Sequence, residues 1–468
     1  MKKENRNRFK KLSAFGLTLL VMSVLTACTG GGGNNGGAVT ANNSGGAVNQ
    51  GTGADKNSPA TEPPAIDKSA IKGDIKVLSI FGGGAIENFN KMMVEFNKEY
   101  PNVKVTHMEQ GINDLPALIS AGENPDVIIS DGGRFPIDWI SDGLIQDMKP
   151  LMEKDSEITA DMFYEPAYNR GVGVEGQLWQ LPYTVDPNFT MLYNQEALEQ
   201  QGESEIPELN TLPEFDEFLK KYWIVENGEQ VMTTFSPFEV YGNLNSLITM
   251  AYLNGADQSS FYNAETKTAT FNDPKIVEAL EWMLRFKREN IDDGRIAKLN
   301  ESLPANTTRF AAGKSLLEPG VVGAVRDALK VNPDVQMKPM PSESLWLGGH
   351  GIHMTTLGKK ENEEAAWSLV KWISSSKAAA EIKLKTIASL SAIKDNPYLV
   401  EQAEVDPVMA VAHEILQQAT KIPPFLPVPY EGEFDAKYGE VLSGKLEPKA
   451  FLDHMTKYTQ ALLDELKK

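Results

Sequence analysis

The sequence offers few side chains with reactive chemistry. One cysteine, Cys28, and five histidines are spread over 468 residues, and no Ser, Cys or His group stands where it would build a nucleophile with its base. His350 and His353 are the nearest thing to a metal pair. On a strand-like segment residues three apart point to opposite faces, and no third ligand is evident, so no metal is expected. Gly82 to Gly84 stand at a predicted helix start, where backbone N–H groups could hold an anion. The run lacks the Lys-Ser/Thr of a P-loop and the spacing of a dinucleotide fingerprint, which argues against a nucleotide. A glycoside hydrolase needs two carboxylates at a set separation; among 64 acidic residues some pair is always available, so availability carries no weight. No catalytic residue and no cofactor is therefore expected.

Cys28 has a setting of its own. Lys2, Lys3, Arg6, Arg8, Lys10 and Lys11 precede an uncharged apolar run from Leu12 to Leu25, the order of an export leader. The run is shorter than the roughly 20 apolar residues that a membrane-spanning helix needs. It ends in Leu25-Thr26-Ala27-Cys28, which resembles the bacterial lipobox. Residues 1–27 are thus expected to be cleaved and Cys28 to carry lipid, two acyl chains sufficing for stable anchoring. The expected place is the outer face of a cytoplasmic membrane, in a Gram-positive-like cell rather than a periplasm.

Loss of the leader, with its six basic residues and Glu4, takes the formal charge from −19 to −24. Such a body repels nucleic acid and anionic lipid head groups, so neither is an expected partner; plain solubility accounts for the acidity. With no second cysteine, stability must come from core size. The remaining chain is too long for one core and suits two lobes of roughly 150 to 250 residues. Residues 28–70 read as the lipidated cysteine followed by a flexible Gly/Asn-rich linker.

Order begins near Ile71. Asp74 to Ile80 alternates like a strand, and Gly82 to Gly84 opens a helix with Ile86, Phe89, Met93, Phe96 and Tyr100 on one face. Pro101 stops it, Asn102 to Met108 forms the next strand, Asn113 to Ala121 a short helix, and Pro125 to Ser130 an apolar strand. Alternating strands and helices predict an α/β fold with a largely parallel sheet, whose ligand loops follow the carboxyl ends of the strands at Phe81 to Gly84 and Asp131 to Arg134. Farther on, Asp273-Pro274, Asn362 and Pro448 each precede a helical apolar stripe, read as core.

Several segments together resemble an extracellular solute-binding protein of the sugar-binding family, the maltodextrin-binding-protein-like receptor of an ABC importer. They are Phe96-Asn97 with Tyr100 to Val105, Ser120 to Ile129, Gly143-Leu144-Ile145, Gly176 to Pro182, Leu192-Tyr193-Asn194, Phe310 to Lys314, and Glu364 to Trp367 with Val370-Lys371-Trp372. Their order and spacing, more than any one of them, carry the likeness. The resemblance implies a two-lobe periplasmic-binding-protein type II fold, with discontinuous lobes, a hinge and an interlobe ligand cleft. It puts lobe 1 at 71–185 plus 350–423 and lobe 2 at 186–349 plus 424–468, with crossings near Asp186, Gly349 and Pro424. Two places depart from the family pattern: Phe81 is followed by three glycines, and Ser389 to Ala392 replaces a frequent Pro-Thr turn.

A sugar presents apolar C–H faces and a rim of hydroxyls, which call for aromatic platforms and planar polar groups. With the family's placement as guide, Asp131 is the first candidate contact, followed by Arg134, Phe81, Tyr183, Asp186, Tyr241, Asn243, Glu318, Trp346 and Tyr430. Trp179, Trp282, Trp367 and Trp372 are read as structural. The implied role is a lipid-tethered, monomeric receptor that captures a carbohydrate, expected to be an oligosaccharide, and hands it to the transmembrane subunits of an ABC permease without catalysis. The alternatives are a same-fold receptor for a peptide, polyamine or modified glycan, and a secreted glycan hydrolase.

Overall fold

The computed structural model describes residues 67–466 apart from 82–83, 132–136, 174, 187–189, 240–241, 321–328, 332–336, 340–345, 388 and 395. The leader, Cys28, most of the linker, Arg134 and Tyr241 lie outside the described residues. Chain entry is fixed by Lys68, whose Nζ lies 2.8 Å from Glu99 and 3.7 Å from Glu157.

Strand β1 (Gly73–Ser79) pairs in parallel with β2 (Val103–Gly111) on one side and β3 (Val127–Asp131) on the other. Between them run the helices Gly84–Glu99, ending just before Pro101, and Leu115–Ala121, closed by Gly122 at φ +75°. Side chains alternate across this sheet. Ile75, Val77, Val127 and Ile129 face the main core, whereas Leu78 and Ile128 face a smaller cluster with Met108, Leu115 and Leu118. Helices therefore cover both faces, as parallel strands require.

The sheet is completed by β4 (Leu181–Pro182) and by a strand that returns from far along the chain, His350–Met354, called β8 below. The order is β2-β1-β3-β8-β4, with β8 antiparallel to both neighbours. Four strands share a direction, as the alternation predicts. The fifth runs against them because it re-enters from the second body and not through a crossover helix.

That second body has its own core. Strand β5 (Thr190–Asn194) pairs antiparallel with β6 (Leu317–Gly320) and β7 (Met337–Pro339). The helices Asn243–Leu253, Pro274–Asn290 and Pro448–Leu466 pack beside it. Asp273 caps the second of these, its carboxylate accepting from Lys275 N at 2.9 Å with Pro274 at the first helical position. Ile276, Leu280, Met283 and Phe286 are fully buried.

Three of the tryptophans read as structural are tied down in these cores. Trp282 Nε1 donates to Asp216, Trp367 Nε1 to Asp155 and Trp372 Nε1 to Glu99. Lys371, from the same helix as the last two, is buried and donates to Asp155 at 2.7 Å and Glu157 at 2.6 Å. A buried ammonium needs such partners, which explains why this short motif has two carboxylates facing it.

Candidate ligand cleft

A cleft of about 470 Å³ opens between the two bodies at the carboxyl ends of β1 and β3. The first body contributes Ile80, just past β1, Asp131, the last residue of β3, and Asn113 and Trp139 from the segments that follow β2 and β3. The second contributes Leu244, Asn245 and Ile248 from the helix Asn243–Leu253, and Tyr430, Glu431 and Asp435 around the start of the helix Glu431–Leu442. The Pro-rich stretch Pro423 to Pro429 forms the floor. Proline removes a donor and forces its predecessor toward extended backbone, so this stretch crosses between bodies without joining either sheet.

Of the candidate contacts, Asp131 and Tyr430 line this cleft. Asp131 is exposed; Tyr430 is 5 % exposed and packs its ring 5.2 Å from Phe271. Asn243 stands one step behind, donating from Nδ2 to Asp435 Oδ1 at 3.3 Å.

A second group gathers where the crossings leave the first sheet. Half-buried Phe81 lies 5.4 Å from the Tyr183 ring and 5.5 Å from that of His350, and Tyr183 is buried. Burial holds the Tyr183 hydroxyl well above its usual range, so it stays neutral. Asp186 exchanges backbone hydrogen bonds with Gly348, N to O at 3.1 Å and O from N at 2.8 Å. Its side chain keeps some exposed surface, yet protein crowds it closely enough that desolvation raises its carboxyl, with Asp131 adding to the rise and His350 and Arg170 opposing it. Arg170 is 7 % exposed and donates from Nη2 to Gly349 O at 2.9 Å. Burial lowers its guanidinium to about 10, against the pull of Asp131 and Asp186. Asp131, which lines the cleft, thus interacts electrostatically with Asp186 and Arg170 where the crossings leave the first sheet, and His350 with Asp186.

Two candidates lie elsewhere. Trp346 is 1 % exposed in the second core and donates from Nε1 to Thr249 Oγ1 at 3.2 Å, so its ring presents no face to the cleft. Glu318 sits on β6 opposite Leu192. Burial, with repulsion from Glu239, raises its carboxyl to about 7 against the attraction of Arg309, which itself pairs with Glu239 at 3.0 Å. The Ser389 to Ala392 segment is also interior: Leu390 O accepts from Val185 N, and Ala392 O from Tyr164 N, both at 2.9 Å.

His350 and His353 go to opposite sides of β8. His353 is fully buried between Ser130 Oγ (2.7 Å) and Trp179 O (2.8 Å), and burial lowers it to about 4. His350 Nδ1 lies 2.9 Å from Thr184 Oγ1.

Trp139, Asn113, Asn245, Glu431, Asp435 and Arg170 were not singled out by the sequence. Glu431 and Asp435 carry a faint signal, four residues apart at a helix start just after Tyr430. Arg170 carries none, since an arginine between Asn169 and Gly171 reads as solvated surface.

The cleft's walls combine apolar side chains and aromatic edges with carboxylates and amides that can satisfy a ligand's hydroxyls or amines. The fold around it is that of solved two-lobe binding proteins. It resembles the ABC substrate-binding protein Lmo0181 from Listeria monocytogenes in complex with cycloalternan, with TM-score 0.61 and 21% identity over 83% of this chain and 98% of that one. It also resembles the sugar-binding protein MalE from Xanthomonas citri (TM-score 0.66, 13% identity, 84% and 98% covered). A third likeness is to the cyclic alpha-maltosyl-1,6-maltose binding protein from Arthrobacter globiformis (TM-score 0.60, 18% identity, 84% and 100% covered). At these identities the likeness speaks for a fold of the maltose-binding type. The chain belongs to the bacterial extracellular solute-binding protein family, whose model matches residues 91–404. Among curated proteins none matches the sequence.

Proposed function

We propose that this protein is the substrate-binding component of an ABC importer, held by lipid on Cys28 at the outer face of the cell membrane, and that it captures an oligosaccharide. The observation that carries the reading is the cleft at the strand ends, walled by both bodies and lined with Trp139, Tyr430, Asp131, Asn113 and Asn245. Solved relatives of the same fold bind cycloalternan, mannotriose and maltotetraose. Capture proceeds by rotation of one lobe, 71–185 plus 350–423, against the other, 186–349 plus 424–468, about crossings near Asp186, Gly349 and Pro424. The closed form then docks on the transmembrane subunits as a monomer, with no bond made or broken in the solute.

A thermal-shift screen of the mature chain against oligosaccharides, peptides and polyamines tests this. A ligand at 100 times its Kd adds about 2.7 kcal/mol of stability. Shifts from oligosaccharides support the reading; shifts from peptides alone overturn its substrate class, and release of cleaved glycan overturns its non-catalytic role. A second reading, a polyamine or amine-bearing glycan, draws on the three carboxylates Asp131, Glu431 and Asp435 in the cleft lining. The same screen decides it.

A further inference from the structure

Two of the buried basic side chains of the first body point at main chain rather than at carboxylates. Lys383, 1 % exposed, donates from Nζ to Tyr183 O at 2.6 Å and to Ile373 O at 2.9 Å. Arg170 donates to Gly349 O. Both carbonyls lie past the end of one strand pairing. The pairing of β4 with β8 ends at Pro182 and Gly351, so Tyr183 lies one residue and Gly349 two residues beyond it, on the two segments leaving the sheet for the second body. Tyr183 N still donates to His350 O at 2.9 Å, while the Tyr183 and Gly349 carbonyls take side-chain donors. A buried carbonyl needs a donor, and where the strand pairing has ended each basic side chain supplies one. Burial lowers Lys383 to about 7 and Arg170 only to about 10. The Arg170 bond is therefore charge-assisted throughout the neutral range and the Lys383 bonds are so while its amine holds its proton, such bonds being roughly twice as strong as neutral ones.

Just beyond, the character of the crossing changes. Val185 N is still held by Leu390 O of the first body, whereas Asp186 and Gly348 exchange bonds with each other across the two crossings. Gly349 marks the boundary with φ +117°, and a Cβ there would meet Thr184 O at 2.3 Å. Only glycine lets the two segments run so close.

We propose that Lys383 and Arg170 are positioning residues of the hinge: they clamp Tyr183 and Gly349 to the first body, so that lobe rotation is taken up around Asp186 and Gly348. Without the clamp, bending spreads back into β4 and β8, the axis blurs, and the two cleft walls meet a solute in many orientations instead of one. The inference rests on the closing-lobe reading above and is independent of which solute binds.

Hydrogen exchange on the ligand-free protein tests it. In the wild type, the amides of Asp186 and Gly348 exchange at least tenfold faster than those of Tyr183, Val185 and Ile352, although all are hydrogen-bonded. In Lys383→Met, exchange at Tyr183 and Val185 rises about tenfold while Leu369, in the helix Glu363–Ser375, is unchanged; Lys383→Arg, which keeps a charged donor, restores slow exchange. Arg170→Met does the same at the His350 amide. A rise spread evenly over Leu369 and Ile352 marks mere destabilisation and overturns the proposal. Should the Met variants fail to fold, the wild-type contrast still decides: equal protection on both sides of Val185 overturns it. The closing-lobe reading fails separately, if small-angle scattering shows no compaction with any solute that binds.

Discussion

Asp131 ends β3 with an exposed carboxylate at the mouth of the cleft, where a solute hydroxyl or amine can reach it. A hydrogen bond to a charged group contributes about 1.5–3 kcal/mol, so Asp131→Ala is expected to weaken binding of a captured oligosaccharide about tenfold or more by calorimetric titration. The ligand-free melting temperature is expected to change little, since the carboxylate is exposed and Arg170 keeps its bond to Gly349 O; unaltered affinity would remove Asp131 from the binding surface. Glu318 behaves differently. Its folded carboxyl titrates at about 7 against 4.5 for an unperturbed one, so between those values the native state holds a proton that the unfolded chain has released. Stability therefore falls as pH rises from about 4.5 to 7, then levels off. Glu318→Gln abolishes that loss, and its melting temperature gains on the wild type's as pH rises toward 7. The strand-end loop that ends in Asp131 was legible locally, from the alternation of strands and helices, whereas Tyr430 and the choice of Asp131 as first contact came from the family's placement. The roles of Arg170 and Trp346 were not legible: what sets them is the residues they meet from distant parts of the chain, Gly349 and Thr249, which no local pattern encodes.

At the scale of elements, the crossings are narrow because two backbones touch. Gly349→Ala places a methyl against Thr184 O and forces φ +117° on a residue with a Cβ; a loss of about 2 kcal/mol or more is expected in urea unfolding. Tolerance of alanine there would show that the crossings can part without cost. The helices were largely readable from their 3.6-residue stripes: Ala366, Leu369, Val370 and Ile373 are all buried as their spacing requires. The direction of β8 was not readable. Hydrophobic alternation says that His350 to Met354 is a strand, but an antiparallel place between β3 and β4 follows only from its return out of the second body.

At the scale of the whole molecule, two cores, each built from separate stretches of chain, meet at the crossings and leave the cleft between them. Their residues interleave along the sequence, Leu347 in the first core and Trp346 in the second, so neither core is complete without chain from both sides of a crossing. Cys28→Ala is expected to move the protein from the membrane fraction to the medium without altering solute affinity; retention in the membrane fraction would point to an uncleaved leader as the anchor. The placement of Lys68 adds a mechanical side to this. The chain enters through its ion pairs with Glu99 and Glu157 and joins β1 at Gly73, whereas the cleft begins at Ile80, beyond the other end of the same strand. Seven residues of strand separate the two by about 23 Å. A tether upstream, as proposed for Cys28, would thus be moored at the end of β1 opposite the cleft, so a pull on it would bear on the first body's far edge and leave the cleft lining itself untouched.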